Sequence, residues 1–527
     1  MIRSPFPDIE IPDVPLPEFV LARAEERVDK PALIDAPSGR AITYEQLAAA
    51  VRAGTAGLAE RGFGQGEVFA HYAPNLPEYA VAFLAVASVG GVNSTANPLY
   101  TAEELAGQLR DCGARMLVTV SELLEKATVA AARSRVEEIF VYGEGDGATP
   151  FASLLEARGE PPGVAIDSAE DLVALPYSSG TTGLPKGVML THRNLVAVMC
   201  QCTHERLWAE WEADRGIAVL PFFHIYGLVI LMNLGLYCGA TTVTMPRFEL
   251  REFLRVIQDY RITRALVVPP IVLALAKHSL VDEFDLSSLE LVNSGGAPLS
   301  AEVEVACGER LRCRIKQGYG LTETTSVTHF VADQMAGQMP GEVGPLAPNT
   351  ECRIVDVATG EDAPAGEVGE VCIRGPQVMK GYLNNPQATR SRSTPTAGLH
   401  TCDIARVDED GSLPGQGADQ IQGLSGRVRG AGGAAADSPG DRRRRRDRSR
   451  RRRSRRGPES IRRGDRADHA GGSRRVRCPA RSAVQEGARG RDRPGDSQSA
   501  VGQNPPPRPD RARGRAWRRG GRLTRIV

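Results

Sequence analysis

The chain has 527 residues, enough for two or three domains, and a net formal charge of +1 that hides an uneven distribution. Acids and bases are mixed as in an ordinary globular protein until about Asp441, after which arginine dominates. Ten cysteines without a single CxxC pair argue for reduced thiols in a cytoplasmic protein and against a disulfide frame or a zinc site.

The opening MIRSPFPDIEIPD carries acids and prolines and no apolar signal core, so no export is expected. Leu16–Ala24 and Tyr44–Arg61 have helical apolar spacing, Val68–Tyr72 reads as a strand, and Pro77–Val89 as an Ala-rich helix packed on it. Met116–Val120 and Ile139–Tyr142 are short apolar strands separated by helical segments, the alternation of an α/β fold. Ala218–Leu220 is expected as a strand ending in PFFHIYG, and Leu228–Leu236 as a buried helix. The apolar stretch Ile217–Val243 contains Pro221, His224 and Asn233, so a buried strand–turn–helix fits better than a membrane span. Thr241–Met245, Ala265–Val268, Leu289–Ser294 and Ile315–Gly318 are further strands. After Gly341 short β segments take over, at Glu351–Val355 and Glu370–Arg374.

The most informative stretch is Tyr177–Val188, YSSGTTGLPKGV, directly after the apolar run Leu172–Leu175. Glycines let successive amides converge on an anion; Ser178, Ser179, Thr181, Thr182 and Lys186 add donors. This is a polyphosphate cradle, though not a Walker A loop, because Gly187 follows Lys186. The bland alternative is a flexible linker, which would rarely run into an apolar segment through Leu-Pro-Lys-Gly-Val. Three further strand-end loops carry polar residues: His224, the Gly295–Pro298 turn, and Tyr319–Glu323. Ligands of open α/β sheets gather at such ends. Glu323 beside Thr322 could hold Mg²⁺ against phosphate, and Tyr319 could stack on a purine. Taken singly, a lone histidine is more often structural and a lone loop glutamate more often solvated.

The strings YSSGTTGLPKGV, PFFHIYG, VVPPIV, NSGGAPLS, QGYGLTE and CIRGPQVMKGYLNNPQAT occur in an order and spacing that resemble the acyl-adenylate-forming superfamily, over about residues 10–412. The chain looks most like 4-coumarate–CoA ligases and related acyl-CoA synthetases. The resemblance implies a large α/β domain of α/β/α layers with a small β-barrel-like subdomain. It also implies a two-step reaction: a carboxylic acid and ATP give acyl-AMP and pyrophosphate, and the thiol of coenzyme A then takes the acyl group. By position, Ser178, Ser179, Gly180, Thr181, Thr182 and Lys186 match the ATP phosphate loop; His224 matches a gate at the acyl pocket. Gly295, Gly296 and Ala297 match the strip between adenine and acyl group, and Gln317, Gly318, Tyr319, Thr322 and Glu323 the adenylate and Mg²⁺ contacts. Asp403 matches the ribose-binding carboxylate, Arg247 a basic position near the CoA channel, and Tyr226, Val268, Ser326 and Val327 the acyl-pocket walls. His224, Thr322 and Glu323 are thus the catalytic candidates. The cationic and Mg²⁺ clamps would offset charge on the phosphates in transfer.

The pattern breaks near the end. The resemblance implies an adenylation domain over 1–390, a hinge approach over 391–412, and a final domain bringing a lysine to the α-phosphate. Here no lysine follows Lys380, and no Phe or Tyr follows Tyr382. Residues 413–527, rich in Arg, Gly and Pro, are expected to be disordered, because so little apolar surface cannot offset the entropy of ordering a chain. Nucleic-acid binding by DRRRRRDRSRRRRSRR is disfavoured, because no aromatic residues interleave with the arginines. Permitted codons for Pro414–Gly440, read one nucleotide later, can spell RGKERIKFKGYQVAFAELEALLLTHP; those for Arg481–Asp510 can spell VAPYKKVRAVEIVRAIPKAPSGKILRRDL. Both resemble the missing domain, which points to a frameshift near Ser412–Pro414. A smaller out-of-frame patch is expected over Ser391–Gly398, and Cys402 stands where the family has glycine. Without its lysine the chain should adenylate slowly, down by on the order of 10²–10³. A binding module that holds ATP or acyl-AMP while the basic tail meets an acidic partner is the reading from another class.

Overall fold

The computed structural model describes residues 1–178, 185–204, 212–364, 366–394, 398–407 and 412–414. Two eight-stranded sheets and one five-stranded sheet make up its frame. The first large sheet runs Gly381–Tyr382, Lys186–Thr191, Leu172–Ser178, Val92–Thr95, Val68–Tyr72, Met116–Val120, Glu138–Tyr142, Thr149–Pro150. It is parallel from Leu172–Ser178 onward and antiparallel at the Lys186 edge. The second runs His329–Phe330, Arg314–Tyr319, Leu291–Ser294, Arg264–Val267, Arg215–Ala218, Thr241–Thr244, Pro31–Asp35, Ala41–Thr43, parallel except at both ends.

The layering follows from side-chain alternation. Neighbouring strand residues point to opposite faces, and here both faces are apolar, as parallel sheets with covered faces require. Phe69, Met116 and Val118 face a central core that also takes Leu33, Ala218 and Leu266 from the other sheet. Ala70, Tyr72 and Leu117 face an outer core with helix Ala102–Cys112. Ile34, Ile217, Val243 and Val267 face a second outer core with helices Leu250–Asp259, Pro269–Lys277 and Ala301–Leu311. The central layer holds Pro77–Ser88 and His192–Cys202. Nearly every residue of Pro77–Ser88 is buried, and its alanines fit between two sheets where bulkier side chains would not. Thr101 and Thr191 close capping boxes at the starts of their helices.

Two elements differ from the sequence expectation for visible reasons. The strand expected at Ala218–Leu220 lies at Arg215–Ala218 instead. Asn75 Nδ2 donates to the carbonyls of Ala218 and Leu220 at 2.9 and 2.8 Å, while its Oδ1 accepts from Phe222 N at 2.7 Å. Ala218 O is still held by Met245 N at 3.1 Å, and beyond it the Asn75 side chain supplies the polar partners that the ladder no longer does. The helix expected over Leu228–Leu236 is a π-helix over Tyr226–Leu234, continued by α-helix Gly235–Cys238. Its entry is so tight that a Cβ on Gly227 would lie 2.1 Å from Pro221 O. Asn233 Nδ2 bonds Leu228 O at 2.8 Å inside it. Such wide turns are frequent at functional sites.

The five-stranded antiparallel sheet runs Ile2–Arg3, Glu351–Val355, Val368–Arg374, Gly398–Arg406, Ser393–Thr394. Leu413–Pro414 pairs with Glu342–Gly344. The fold therefore carries past 390 through Gly398–Arg406, an inner strand of this sheet. The arginine-rich segment expected to be disordered lies, from residue 415, outside the described residues. Among the described residues no helix is long and apolar enough to cross a membrane.

Candidate active site

The polar strand ends of the two large sheets meet beside the middle of strand Gly398–Arg406. Strand Leu172–Ser178 delivers Ser178, and the returning strand pairs Lys186 opposite it. Ser179, Gly180, Thr181 and Thr182 lie outside the described residues. From the second sheet, Arg314–Tyr319 leads into the turn Thr322–Thr324, which presents Glu323. Ser178 Oγ donates to Glu323 Oε1 at 2.9 Å, and Tyr382 Oη donates to the same oxygen at 2.7 Å. Met379 N holds the Glu323 carbonyl at 2.9 Å. Lys186 Nζ stands 5.1 Å above the Tyr382 ring, a cation–π contact that keeps the ammonium near this carboxylate. Thr95, at the end of a first-sheet strand, donates through Oγ1 to Phe223 O at 2.8 Å and so ties the His224 loop across the gap.

Two adjoining cavities open here. One of about 430 Å³ is lined by Ser178, Thr322, Glu323, Asp403, Arg392 and Tyr100, among others. The other, about 240 Å³, is lined by Tyr226, Ile230, Gly295, Val327 and Phe330 on its apolar side and by Asn293 and Ser294 on its polar side. His224, Ile225, Leu321 and Thr322 belong to both walls. The first cavity is polar and the second mostly apolar, with His224 at their junction.

Electrostatics separate the groups. His224 is exposed at the junction of the cavities, and desolvation by the neighbouring walls holds its pKa below the ordinary imidazole value, so the neutral ring dominates at pH 7. Its Nδ1 accepts from Tyr226 N at 3.3 Å. Burial lifts the Asp403 carboxyl above its usual range, against the lowering effect of a 2.6 Å hydrogen bond from Tyr319 Oη. Burial also lifts the Tyr319 phenol, with the Asp403 charge adding to it.

The glycine pair answers to space. A Cβ on Gly295 would lie 3.0 Å from the Tyr226 ring, and Gly296 sits at φ +81°. These positions let the strand end pass close to the cavity wall. Ser326, at φ +94°, lines the apolar cavity in a conformation that non-glycine residues rarely adopt.

Not every expected residue reaches a cavity. Gly318, Ser326 and Val327 line the smaller one. Gln317 turns away: its amide donates to Glu304 Oε2 at 2.7 Å and to Leu299 O at 3.2 Å, inside the outer layer. Tyr319 lies beside the His329 ring, 5.7 Å between centroids, with its hydroxyl committed to Asp403. Val268 stands behind Gly296. Ala297 and Arg247 are exposed and line neither cavity. Conversely Thr95, Asn97, Tyr100, Asn293, Ser294 and Arg392 line the cavities without having been singled out from the sequence. The polar run GVNSTANPLY at a strand end was the available signal for the first three; Arg392 had none.

Comparison with known proteins bears on this arrangement. The family described as AMP-binding enzyme matches residues 20–383. 4-coumarate–CoA ligase 2 of Petroselinum crispum is 40% identical over 422 residues, 78% of this chain and 77% of that protein. The 4-coumarate–CoA ligase of Pinus taeda is 39% identical over 418 residues, 78% of each. The crystal structure of an anthranilate CoA ligase, AuaEII, in complex with anthranoyl-AMP superposes with a TM-score of 0.69 at 27% identity, over 77% of this chain and 78% of that one. A long-chain-fatty-acid-CoA ligase from Archaeoglobus fulgidus shares the fold, with a TM-score of 0.72 at 24% identity, covering 80% and 89%. With Ser178 and Tyr382 of one large sheet bonded to Glu323 of the other and with relatives of this kind, the chain belongs to the AMP-binding enzyme family, and 4-coumarate–CoA ligases are among its relatives.

Proposed function

We propose that this chain carries the site of an AMP-forming carboxylic acid–CoA ligase. In that reading a carboxylate oxygen attacks the α-phosphate of ATP in the polar cavity, pyrophosphate leaves, and the acyl-adenylate later passes its acyl group to the thiol of CoA. The observation that carries it is the 2.9 Å bond between Ser178, at the mouth of the phosphate loop, and Glu323, with both residues and His224 lining one cavity. Had the loop opened away from His224 and Glu323, the reading would have no site. Ser179, Gly180, Thr181, Thr182 and Lys186 would supply the donors for the phosphates, and Asp403 would face the ribose.

The residues present fit Mg²⁺. Glu323 Oε1 is occupied by two donors, while Oε2 has no hydrogen-bond partner among the described residues. A single carboxylate beside phosphate oxygens is the usual setting for this ion, which would neutralise phosphate charge. Glu323 would hold it, with Thr322 beside it.

The acid is a compact one. At about 240 Å³ the apolar cavity falls below the usual range of small-molecule pockets, roughly 300–1,000 Å³. That supports an aryl or short acid over a long acyl chain. Asn293 Oδ1 and Ser294 Oγ are buried on its wall without partners. Asn293 and Ser294 nevertheless make this side of the cavity polar, so an acid with a hydroxyl or amino substituent suits the wall better than a plain one.

The chain as written is an impaired ligase in this proposal, because its codons downstream of Ser412–Pro414 are read out of frame. Cys402 is a separate departure from the family. It sits at φ +60°, a left-handed conformation suited to the glycine that the family has there. The test is pyrophosphate release with ATP and a panel of acids, followed by thioester detection. Slow release with compact aryl acids and no thioester is expected. Efficient thioester turnover would overturn the frameshift, and nucleotide binding without pyrophosphate release would favour a pure binding module. DNA sequence across codons 385 onward checks the frame directly.

A further inference from the structure

On the back of the strand that carries Asp403, three metal-type donors come together. Strands Val368–Arg374 and Gly398–Arg406 run antiparallel, with Cys372 opposite His400 and Glu370 opposite Ile404. Glu370 and Cys372 lie two residues apart and so share a face. A register shift between them bends the ladder and draws the carboxylate toward the ring. His400 Nδ1 lies 2.9 Å from Glu370 Oε2 and 3.4 Å from Cys372 Sγ, and the three ligand atoms all fall within 4.8 Å of one another. Thr401 and Asp403 alternate to the cavity side of the same strand, so these donors lie outside the adenylation site.

The geometry points to a Zn²⁺ site formed by Glu370, Cys372 and His400. Tetrahedral Zn²⁺ with bonds of about 2.0–2.3 Å sets its donors roughly 3.3–3.7 Å apart. The separations of 2.9 and 3.4 Å bracket the lower end of that range and all three atoms fall within 4.8 Å of one another, so side-chain shifts of up to about an ångström bring them to ligating geometry. The mixture of thiolate, imidazole and carboxylate suits zinc over magnesium, which takes oxygen ligands. One supporting contact reaches a ligand side chain: Cys402 N donates to Glu370 Oε1 at 3.0 Å. Cys372 is buried, while Glu370 and His400 keep 15% and 22% of their side-chain surface exposed, which leaves an entry path.

Burial pushes the Cys372 thiol up to about 12. The free site therefore holds a thiol, and forming the Zn–S bond releases its proton to water. For Glu370, burial alone would lift the carboxyl, but His400 and the Cys402 amide and thiol outweigh it and hold it below its usual range. The absence of a CxxC pair was no guide, because this triad is built across two strands.

The test uses the full chain, stripped of metal under reductant and titrated with Co²⁺ as a spectroscopic stand-in for zinc. One equivalent is expected to produce a thiolate-to-cobalt charge-transfer band and intense tetrahedral d–d bands, displaced by Zn²⁺ and untouched by excess Mg²⁺. Cys372→Ser and His400→Gln should each abolish the charge-transfer band. Cys402→Gly, which spares all three ligands, should keep it. Absence of the band in the unaltered chain, or its persistence in both ligand variants, overturns the site, as does its loss in Cys402→Gly. Should a ligand variant fail to fold, the unaltered chain still decides. Zn²⁺ must raise its melting temperature with a dose dependence that saturates, and no rise overturns the proposal.

Discussion

The two cavities are built differently. The polar one is assembled from strand ends of separate sheets, fastened by single hydrogen bonds such as Ser178–Glu323, Tyr382–Glu323, Tyr319–Asp403 and Thr95–Phe223. The apolar one is carved from packed side chains on the π-helix, with Tyr226 locked to Asn293 by a 2.8 Å bond from Asn293 Nδ2. Hydrogen-bonded geometry fixes where charge can be stabilised; packed walls fix what shape can enter. Changes in the first cavity should therefore alter rate across all acids, and changes in the second should alter the choice among them.

The largest effect expected is that of Glu323→Gln. It removes the charge nearest the proposed phosphate site while keeping an acceptor for Ser178 and Tyr382. Pyrophosphate release should fall by about 10²–10³, the scale for losing one preorganised electrostatic group. The fall should be uniform over the acid panel. A fall for some acids only would break the division of labour between the cavities. Asn293→Leu comes next. It removes a polar side chain from the wall together with its 2.8 Å bond to Tyr226 Oη. Acids that carry a hydroxyl or amino substituent should lose about tenfold or more relative to plain analogues, corresponding to the roughly 1–3 kcal/mol of an unmet polar partner. The measurement is the ratio of initial rates for matched acids. An unchanged ratio would move specificity elsewhere.

How much of this was legible in the residues depends on what kind of information each element carries. Val68–Tyr72 and Met116–Val120 stand where their apolar runs put them, because burial on both faces writes itself into a short apolar string; Glu351–Val355 shows instead the alternation of an antiparallel strand with one covered face. The convergence of Ser178, His224 and Glu323 was also legible, since each lies just past a strand end. Pairing partners were not. Ile2–Arg3 joins Glu351–Val355, and Asn75 bonds the carbonyls at the end of a strand; neither contact leaves a local trace. Side-chain direction was equally silent. Gln317 faces the outer helix layer rather than the cavity, because strand alternation permits either face until the register is known.

His224, at the junction, gives a smaller effect that tests both cavities together. Folding lowers its pKa by desolvation, so the folded state prefers the neutral ring. Its contribution to stability is fully present above the unfolded imidazole value of 6.5 and is lost as pH falls through the lower folded value. Pyrophosphate release should accordingly change little between pH 8 and 7, with an acid limb below about 6.5. If His224 is the group responsible, His224→Asn should remove that limb. A limb that persists in the variant would assign it to another group and leave the junction without a titrating part.

The smallest effect concerns the strand that walls the polar cavity. Cys402 holds φ +60° with its thiol exposed, and a left-handed conformation costs a residue with a Cβ roughly 1–2 kcal/mol. Glycine adopts that conformation without the Cβ clash, though it gives back about 0.5–1 kcal/mol in chain entropy. Cys402→Gly should therefore stabilise the chain by at most about 1 kcal/mol, measured as a shift of the denaturation midpoint at constant slope. The variant leaves Thr401 and Asp403 in place on the cavity face, so pyrophosphate release should stay the same within error. A loss of activity without a loss of stability would mean that the two faces of this strand are coupled. The division drawn above, between a hydrogen-bonded site and the scaffold behind it, would then fail at the residue where the chain departs from its family.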